Sequence, residues 1–336
     1  MIGSSDEAFL LDHGKRLLAT APTPVVMRKQ GRYGPGRLWL GHILENDELH
    51  CSLRKGTLRT LYRKPWKIRH IQVANLLSEA VAILGRWLPP FYVNTSDRPM
   101  AAVRPITVFG TCSVAGQADV AAPDFIFNGW PEAKFADFDA EAARLADASV
   151  APPMHQRAFW TGRINVPARE SLLEVSQMRP EAIEAVDALA SYDGLNHAYV
   201  GHFKTMADQV AQYRYMIDVE GNGYSGRLKL LLHARRALLL LDRPYHDYFY
   251  DELEPFRHFV PVGRYSSDLV ERIEWLRANP AREKEIIGEA QQFARARLTR
   301  RAAVEHWAAL LEKHAQSGGK LRPGDHGRPL RDTSGS

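Results

Sequence analysis

The sequence predicts an α/β protein of two Rossmann-like domains facing one cleft, and three observations lead there. The chain has 336 residues, too many for one ordinary hydrophobic core. Short β-like runs alternate with helical stretches in both halves, the pattern of sheets covered by helices. The third observation is the segment Tyr213–Val262. There an apolar run (Tyr215–Val219) enters a glycine turn (Gly221, Gly223, Gly226), a helix opens on Arg227 and Lys229, and a second apolar run follows (Ala237–Leu241). A βαβ unit holds phosphate this way: glycines let the backbone come close, and the first helical N–H groups carry partial positive charge.

Taken in order, the first half carries β-like runs at Pro24–Met27, Arg37–Ile43, Phe91–Asn94 and Ile106–Phe109, with a helix over about 71–87. The Pro/Ala-rich stretch Ala148–Met154 reads as a linker, dividing an N-terminal domain (1–150) from a C-terminal one (151–315). The second half opens on a strand, Ala158–Thr161, followed by helical stretches at 169–176 and 180–189. After the βαβ unit come a strand at Phe259–Val262 and a helix at Ser267–Ala278, with Asp268 in its first turn. Pro280 starts a last helix continuing to about Ala315. Residues 316–336, polar and rich in Gly and Pro, read as a disordered tail.

Apolar residues make up 45% of the chain and charged ones 25%, which excludes a disordered protein. The net charge is +5, and the excess is uneven: residues 1–75 hold 13 Lys/Arg against 6 Asp/Glu, which favours an anionic partner. Two cysteines, Cys51 and Cys112, make neither a disulfide framework nor a four-cysteine zinc site, and read as reduced thiols in a cytoplasmic protein. The N-terminus lacks a signal pattern, and Val73–Leu88, broken by Glu79 and Arg86, is an amphipathic helix. Membrane contact would therefore be peripheral, at the inner membrane.

Gly221–Gly226 (GNGYSG) matches G-x-G-x-x-G, and Asp242 stands where a dinucleotide site wants a ribose-binding acid. That leaves an NAD(P)-dependent oxidoreductase open. Arg227 directly after the last glycine is unusual for that fingerprint, and its guanidinium suits a diphosphate instead. A structural glycine turn with solvated basic residues is the plainer alternative.

The longer pattern is more specific. Ser225-Gly226-Arg227-Leu228-Lys229 is followed by Asp247-Tyr248-Phe249-Tyr250 and by Leu253-Glu254-Pro255-Phe256-Arg257-His258-Phe259-Val260-Pro261-Val262. Ser267-Asp268-Leu269 and Ile273-Glu274-Trp275-Leu276 continue the order. This run resembles the donor-site region of glycosyltransferase family 90, the protein O-glucosyltransferases and the capsule- and lipopolysaccharide-modifying transferases, in a bacterial-type member. A second strip, Phe159-Trp160-Thr161-Gly162 with Arg169 seven residues after the glycine, keeps the family's spacing. Arg163 departs from it, standing where the family often has Ser.

The resemblance implies a GT-B-like architecture whose C-terminal helices cross back, and an inverting, metal-independent transfer from a UDP-sugar, with no other cofactor. It implies donor binding by Gly162, Arg169, Asn222, Gly223, Tyr224, Ser225, Gly226, Arg227 and Lys229; Arg163, the departing position, either adds a guanidinium to that donor site or points to solvent. Asp247 matches a family Glu placed near the ribose. In the third strip, Phe91–Pro99 (FYVNTSDRP), Asp97 matches the family's catalytic base, the Asp before x-Pro. Its chemistry fits, because a carboxylate must take the acceptor hydroxyl's proton as the sugar transfers. Alone, Asp97 reads equally as a turn-capping residue. The acceptor would be a hydroxyl of a glycan, glycolipid or protein. Ala118–Trp130 also resembles a family stretch, but no acceptor-contacting residue carries over.

Other patterns carry less. Asp137-Phe138-Asp139 has metal-binding spacing but reads as an acidic helix start. No H-E-x-x-H, G-x-S-x-G or P-loop occurs, and His258 reads as structural. Residues 54–69 carry seven positive charges and no acid. They read as a solvated basic face, then as a surface for anionic lipid or glycolipid. As a nucleic-acid site they show aromatics but no binding module, so no nucleic-acid partner is expected. A non-catalytic nucleic-acid- or membrane-binding protein is the remaining alternative.

Overall fold

The computed structural model describes residues 18–29, 48–62, 67–99, 106–130, 135–188 and 205–322, with residues 12, 15, 16 and 133 besides. The run expected at Arg37–Ile43, residues 63–66 of the basic stretch and residues 323–336 of the tail lie outside this set. The strands are β1 (Val25–Lys29), β2 (Glu48–Arg54), β3 (Thr57–Tyr62), β4 (Phe91–Asn94), β5 (Val108–Gly110), β6 (Asp119–Ala121), β7 (His155–Gly162), β8 (Ile183–Asp187), β9 (Tyr213–Asp218), β10 (Ala237–Leu241) and β11 (Val260–Val262). The helices, numbered in chain order, are α1 (Lys67–Leu84), α2 (Phe138–Ala148), α3 (Pro167–Met178), α4 (Met206–Gln212), α5 (Leu228–Leu231), α6 (Leu269–Ala278), α7 (Pro280–Arg297) and α8 (Arg300–Gln316). The fold is mixed α/β with parallel strands in both sheets.

Two compact units divide the chain: Met1–Phe138 with His246–Tyr248 and Arg300–Ser336, and Asp139–Tyr245 with Phe249–Thr299. The division thus falls at the first residue of α2, not at residue 150. Arg236 explains why. Its guanidinium donates to the carbonyls of Ser149 and Ala151 (both 2.8 Å), and the Ser149 hydroxyl accepts from the Arg235 N–H (2.8 Å). The stretch Ala148–Met154, expected as a linker, is tied to the start of β10.

The first unit holds a six-stranded sheet in the order β1-β3-β2-β4-β5-β6. It is not wholly parallel, because β2 runs antiparallel to both β3 and β4, and the turn of the β2–β3 hairpin falls in the basic stretch. Lys55 and Gly56 both have positive φ (48° and 70°), the two-residue turn whose twist suits a hairpin. Helix α8 packs along α1. Trp307 of α8 donates its indole N–H to the Pro123 carbonyl (2.9 Å) and meets the Phe109 ring edge-on at 5.2 Å. Beyond α8 the chain stays fastened: Thr107 N–H donates to the Gly319 carbonyl (3.1 Å) and Leu321 N–H to the Thr107 hydroxyl (2.8 Å). The start of the tail is ordered where disorder was expected.

The second unit is a five-stranded parallel sheet in the order β11-β10-β9-β7-β8. β10 is the continuous apolar run ALLLL, buried along its length, as a central parallel strand with both faces covered must be. Tyr215, Ile217, Leu239 and Leu241 pack with Leu172 of α3, Ile273 and Leu276 of α6 and Ile286 of α7 into one core. Pro167 and Pro280 occupy first-turn positions of α3 and α7, where a missing N–H costs nothing.

Three sequence expectations are corrected here. Residues 180–189, expected as helix, contain β8: Arg157 of β7 pairs with Glu184 (2.5 Å), and the edge of β7 recruits Ile183–Asp187 against their Glu/Ala-rich composition. The helix expected from Pro280 to Ala315 breaks at Leu298, which buries its side chain and leaves helical backbone (φ −118°, ψ 53°) where the chain changes unit. The helix after the glycine turn, α5, has only four residues, so aligned backbone dipoles contribute little there.

Candidate functional site

Because the second sheet is parallel, the carboxyl ends of β7, β9, β10 and β11 bring Gly162–Arg163, Asp218–Gly221, Asp242–Arg243 and Gly263–Tyr265 to one edge. Ligands of open α/β sheets bind at such an edge. Trp160, fully buried on β7, is its floor. The Arg169 guanidinium lies 5.2 Å from the Trp160 ring and that of Arg227 lies 5.7 Å from it. Gly162 permits this floor: a Cβ there would stand 2.7 Å from the indole.

Each guanidinium is held on neutral oxygens. Arg169, in the first turn of α3, donates to the carbonyls of Glu220 (2.8 Å) and Arg163 (2.9 Å) and to the Asn165 side-chain oxygen (3.2 Å). A Cβ on Gly221 would come to 3.0 Å from it, so that turn position favours glycine by close approach. Arg227 donates to the Thr161 carbonyl (2.8 Å). Among the described residues neither has a carboxylate within ion-pairing distance. Burial, and then the neighbouring charge of Arg227, push Arg169 down to about 10; burial and Arg243 lower Arg227, against the pull of Asp218.

Beneath this pair lies a closed network. Asp218, at the end of β9, accepts from the Ser225 hydroxyl (2.6 Å) and pairs with Arg243 (2.8 Å), both charged side chains being 0% exposed. Arg243 also donates to the carbonyls of Asp218 (2.9 Å) and Leu241 (3.2 Å). Ser225 therefore spends its proton on Asp218 and presents only lone pairs elsewhere. Further along the edge, Arg264 reaches the Glu220 carboxylate at 3.5 Å. Burial raises the pKa of Glu220, and Arg264 opposes the rise.

The structure thus gathers Gly162, Arg169, Ser225 and Arg227. Arg163 contributes its carbonyl, while its side chain is exposed. Asn222 is exposed at the tip of the turn, and Gly223, Tyr224 and Gly226 shape it. The buried Lys229 ammonium sits 4.9 Å from the Tyr224 ring and within 3.4 Å of the Gly226 carbonyl. Asp247 is buried and belongs to the first unit, beside His246, whose backbone pairs with that of Ser113 (2.9 and 3.0 Å). Sequence reasoning assigned no role to Asp218, Arg243, Glu220 or Arg264; the available signal was a charged residue at the end of a strongly apolar strand.

Asp97 lies in the first unit, three residues past β4. Asn94 pins its loop by donating to the Arg98 carbonyl (2.7 Å) and accepting from Ser96 N–H (3.0 Å), and Thr111 donates to the Ser96 carbonyl (2.7 Å). Arg69 of α1 donates to one Asp97 carboxylate oxygen at 2.9 Å. The Arg69 side chain is 12% exposed and stacks 4.4 Å from the Phe125 ring, whereas the Asp97 side chain is 45% exposed. The second Asp97 oxygen has no partner among the described residues. Arg69 was expected on a solvated basic face; it turns inward to orient a carboxylate instead. Arg54, Lys55 and Arg59 are exposed on the hairpin. Asp139 lies in the first turn of α2, as an acidic helix start would. Among the described residues no helix is long and apolar enough to cross a membrane, and no three His, Cys, Asp or Glu cluster to hold a metal.

These features describe a class: an α/β protein with a cationic cluster at the carboxyl edge of a parallel sheet. The family model for glycosyl transferase family 90 matches residues 89–321, more than half of the chain, and the chain belongs to that family. Protein O-glucosyltransferase 3 of Homo sapiens is 27% identical over 235 residues, covering 67% of this chain and 46% of that protein. Protein O-glucosyltransferase 2 of Danio rerio is 26% identical over 238 residues, covering 67% and 47%. The chain spans about half the length of these relatives. Among solved structures TarM gives a TM-score of 0.35 at 11% identity, covering 48% of this chain and 36% of that one, a likeness that bears no weight here.

Proposed function

We propose that the chain moves a hexose or pentose from a UDP-sugar to an acceptor hydroxyl, on a glycan, a lipopolysaccharide or a protein, by one inverting displacement. Family membership supports sugar transfer, and the names of the relatives support an oxygen acceptor. One observation carries the donor assignment: Arg169 and Arg227 lie side by side over Trp160, bonded only to neutral oxygens, with both pKa values depressed. Two half-buried cations, one depressed by the other and the second by Arg243, are relieved by a dianion, and a diphosphate presents the oxygens that guanidinium groups bind in pairs.

In this reading the Asp97 carboxylate takes the proton of the acceptor hydroxyl as its oxygen attacks the anomeric carbon. The bond from that carbon to the β-phosphate oxygen breaks, and UDP departs with the electron pair. Arg169 and Arg227 stabilise the charge gathering on the diphosphate, so the reading needs no metal. Arg69 holds one oxygen of Asp97 and leaves the other to receive the proton. A GT-B-like pairing of two Rossmann-like domains, and contact of the exposed hairpin bases with an anionic inner-leaflet surface, belong to the same proposal.

Calorimetric titration with UDP tests the donor site. Arg227→Ala should weaken UDP binding by a charge-assisted bond, about 1.5–3 kcal/mol. Unchanged UDP affinity in that variant would remove the site.

A further inference from the structure

Immediately after β11 the chain makes a turn that is costly to hold. Tyr265 and Ser266, consecutive residues with side chains, both adopt positive φ (60° and 58°). Left-handed backbone at such residues persists only where the surroundings enforce it, and it gathers at ligand sites. The enforcement is visible. Gly263 N–H donates to the Asp268 carboxylate (2.7 Å), Ser266 N–H to the Gly263 carbonyl (3.1 Å), and the Ser171 hydroxyl to the Tyr265 carbonyl (2.6 Å). Gly263 has no room for a side chain, since a Cβ would lie 2.3 Å from the Ser267 hydroxyl.

The residue displayed by this turn is a large aromatic that is 48% exposed. It stands beside the cationic cluster. Ser171, which grips its carbonyl, lies two residues beyond Arg169 on α3. The Arg264 guanidinium is 5.4 Å from the Tyr265 ring and also reaches Glu220, whose carbonyl holds Arg169. The backbone that carries the ring is held, and Arg264 lies over one ring face. An exposed ring near a diphosphate-binding pair suits a nucleobase, because stacking needs only a flat surface within reach of the phosphates.

We propose that Tyr265 is the platform on which the base of the donor nucleotide stacks. The inference rests on the UDP-sugar reading above and adds the residue that separates a nucleotide from a bare diphosphate. Titration of UDP and of inorganic pyrophosphate into the full chain tests it. Tyr265→Ala should weaken UDP roughly tenfold, within the range of base–aromatic stacking, and leave pyrophosphate unchanged. Tyr265→Phe should match the parent protein for both ligands. Tyr265→Asn, which tolerates left-handed backbone but lacks the ring, should behave as Tyr265→Ala. UDP affinity unchanged in the Ala and Asn variants overturns the platform alone, as does an equal loss of UDP and pyrophosphate, which would mark a structural role. A parent protein that binds neither ligand overturns the donor-site reading and the platform with it.

Discussion

Replacing Asp218 with Asn probes a fully buried charge in the second unit. Asp218 and Arg243 are both 0% exposed and 2.8 Å apart. Neutralising one partner leaves the Arg243 guanidinium in the core without a counter-charge, facing only neutral oxygens such as the carbonyls of Asp218 and Leu241. Breaking a buried pair on one side typically costs about 3–5 kcal/mol, because the surviving charge has lost both water and counter-ion. The Ser225 hydroxyl also trades a charged acceptor for a neutral one, roughly a further 1 kcal/mol. Set against about 5–15 kcal/mol for a typical domain, this is a large fraction of the stability.

The assay is urea unfolding followed by tryptophan fluorescence, on Asp218→Asn, Arg243→Met and the double variant. The two single variants should each be strongly destabilised. The double variant should recover most of the loss, since a buried pair replaced on both sides is often close to neutral. Asp218→Asn within about 1 kcal/mol of the parent, or losses in the two single variants that simply add, would refute the pairing as the source of stability at this edge.

Other outcomes follow from the same contacts. Asp97→Asn should abolish transfer and leave UDP binding nearly intact; retained transfer in a coupled UDP-release assay would contradict its role as base. Arg69→Ala should lower kcat far more than it changes KM, with partial recovery in Arg69→Lys, whereas equal loss of both would indicate a merely structural residue. Burial holds His233, His258 and His314 below the usual histidine value of about 6.5. The unfolded chain therefore gains protons first as pH falls, and stability should be level above about pH 6.5 and decline below it. Urea midpoints at pH 7.5 and 5.5 would show this, with a shallower decline in His314→Gln. Burial also raises the Cys51 thiol, so an aromatic disulfide reagent at pH 8 should label it only after denaturant is added.

How much of this was legible depended on whether a feature is local. β10 was readable because five buried apolar residues in a row fit a central parallel strand. β8 was not, since EAIEAVDALA carries helix-favouring residues and becomes strand only through the edge of β7 and the Arg157–Glu184 pair. The shortness of α5 was equally hidden: LKLLLHARR reads as helix, yet Arg236 is anchored on Ser149 and Ala151, far away in sequence, and the chain turns into β10. Charge was the hardest feature to read, because an arginine in a sequence does not say what it faces. Arg69 sat in a run that looked like surface, and Arg243 followed an apolar strand without any motif. In the structure these two meet carboxylates, Asp97 and Asp218, while Arg169 and Arg227 meet only carbonyl and amide oxygens. A matched arginine fixes a structure or orients a neighbour. An arginine without a matching anion keeps its charge available, and two such residues over one indole are what supports the proposal of an anionic donor there.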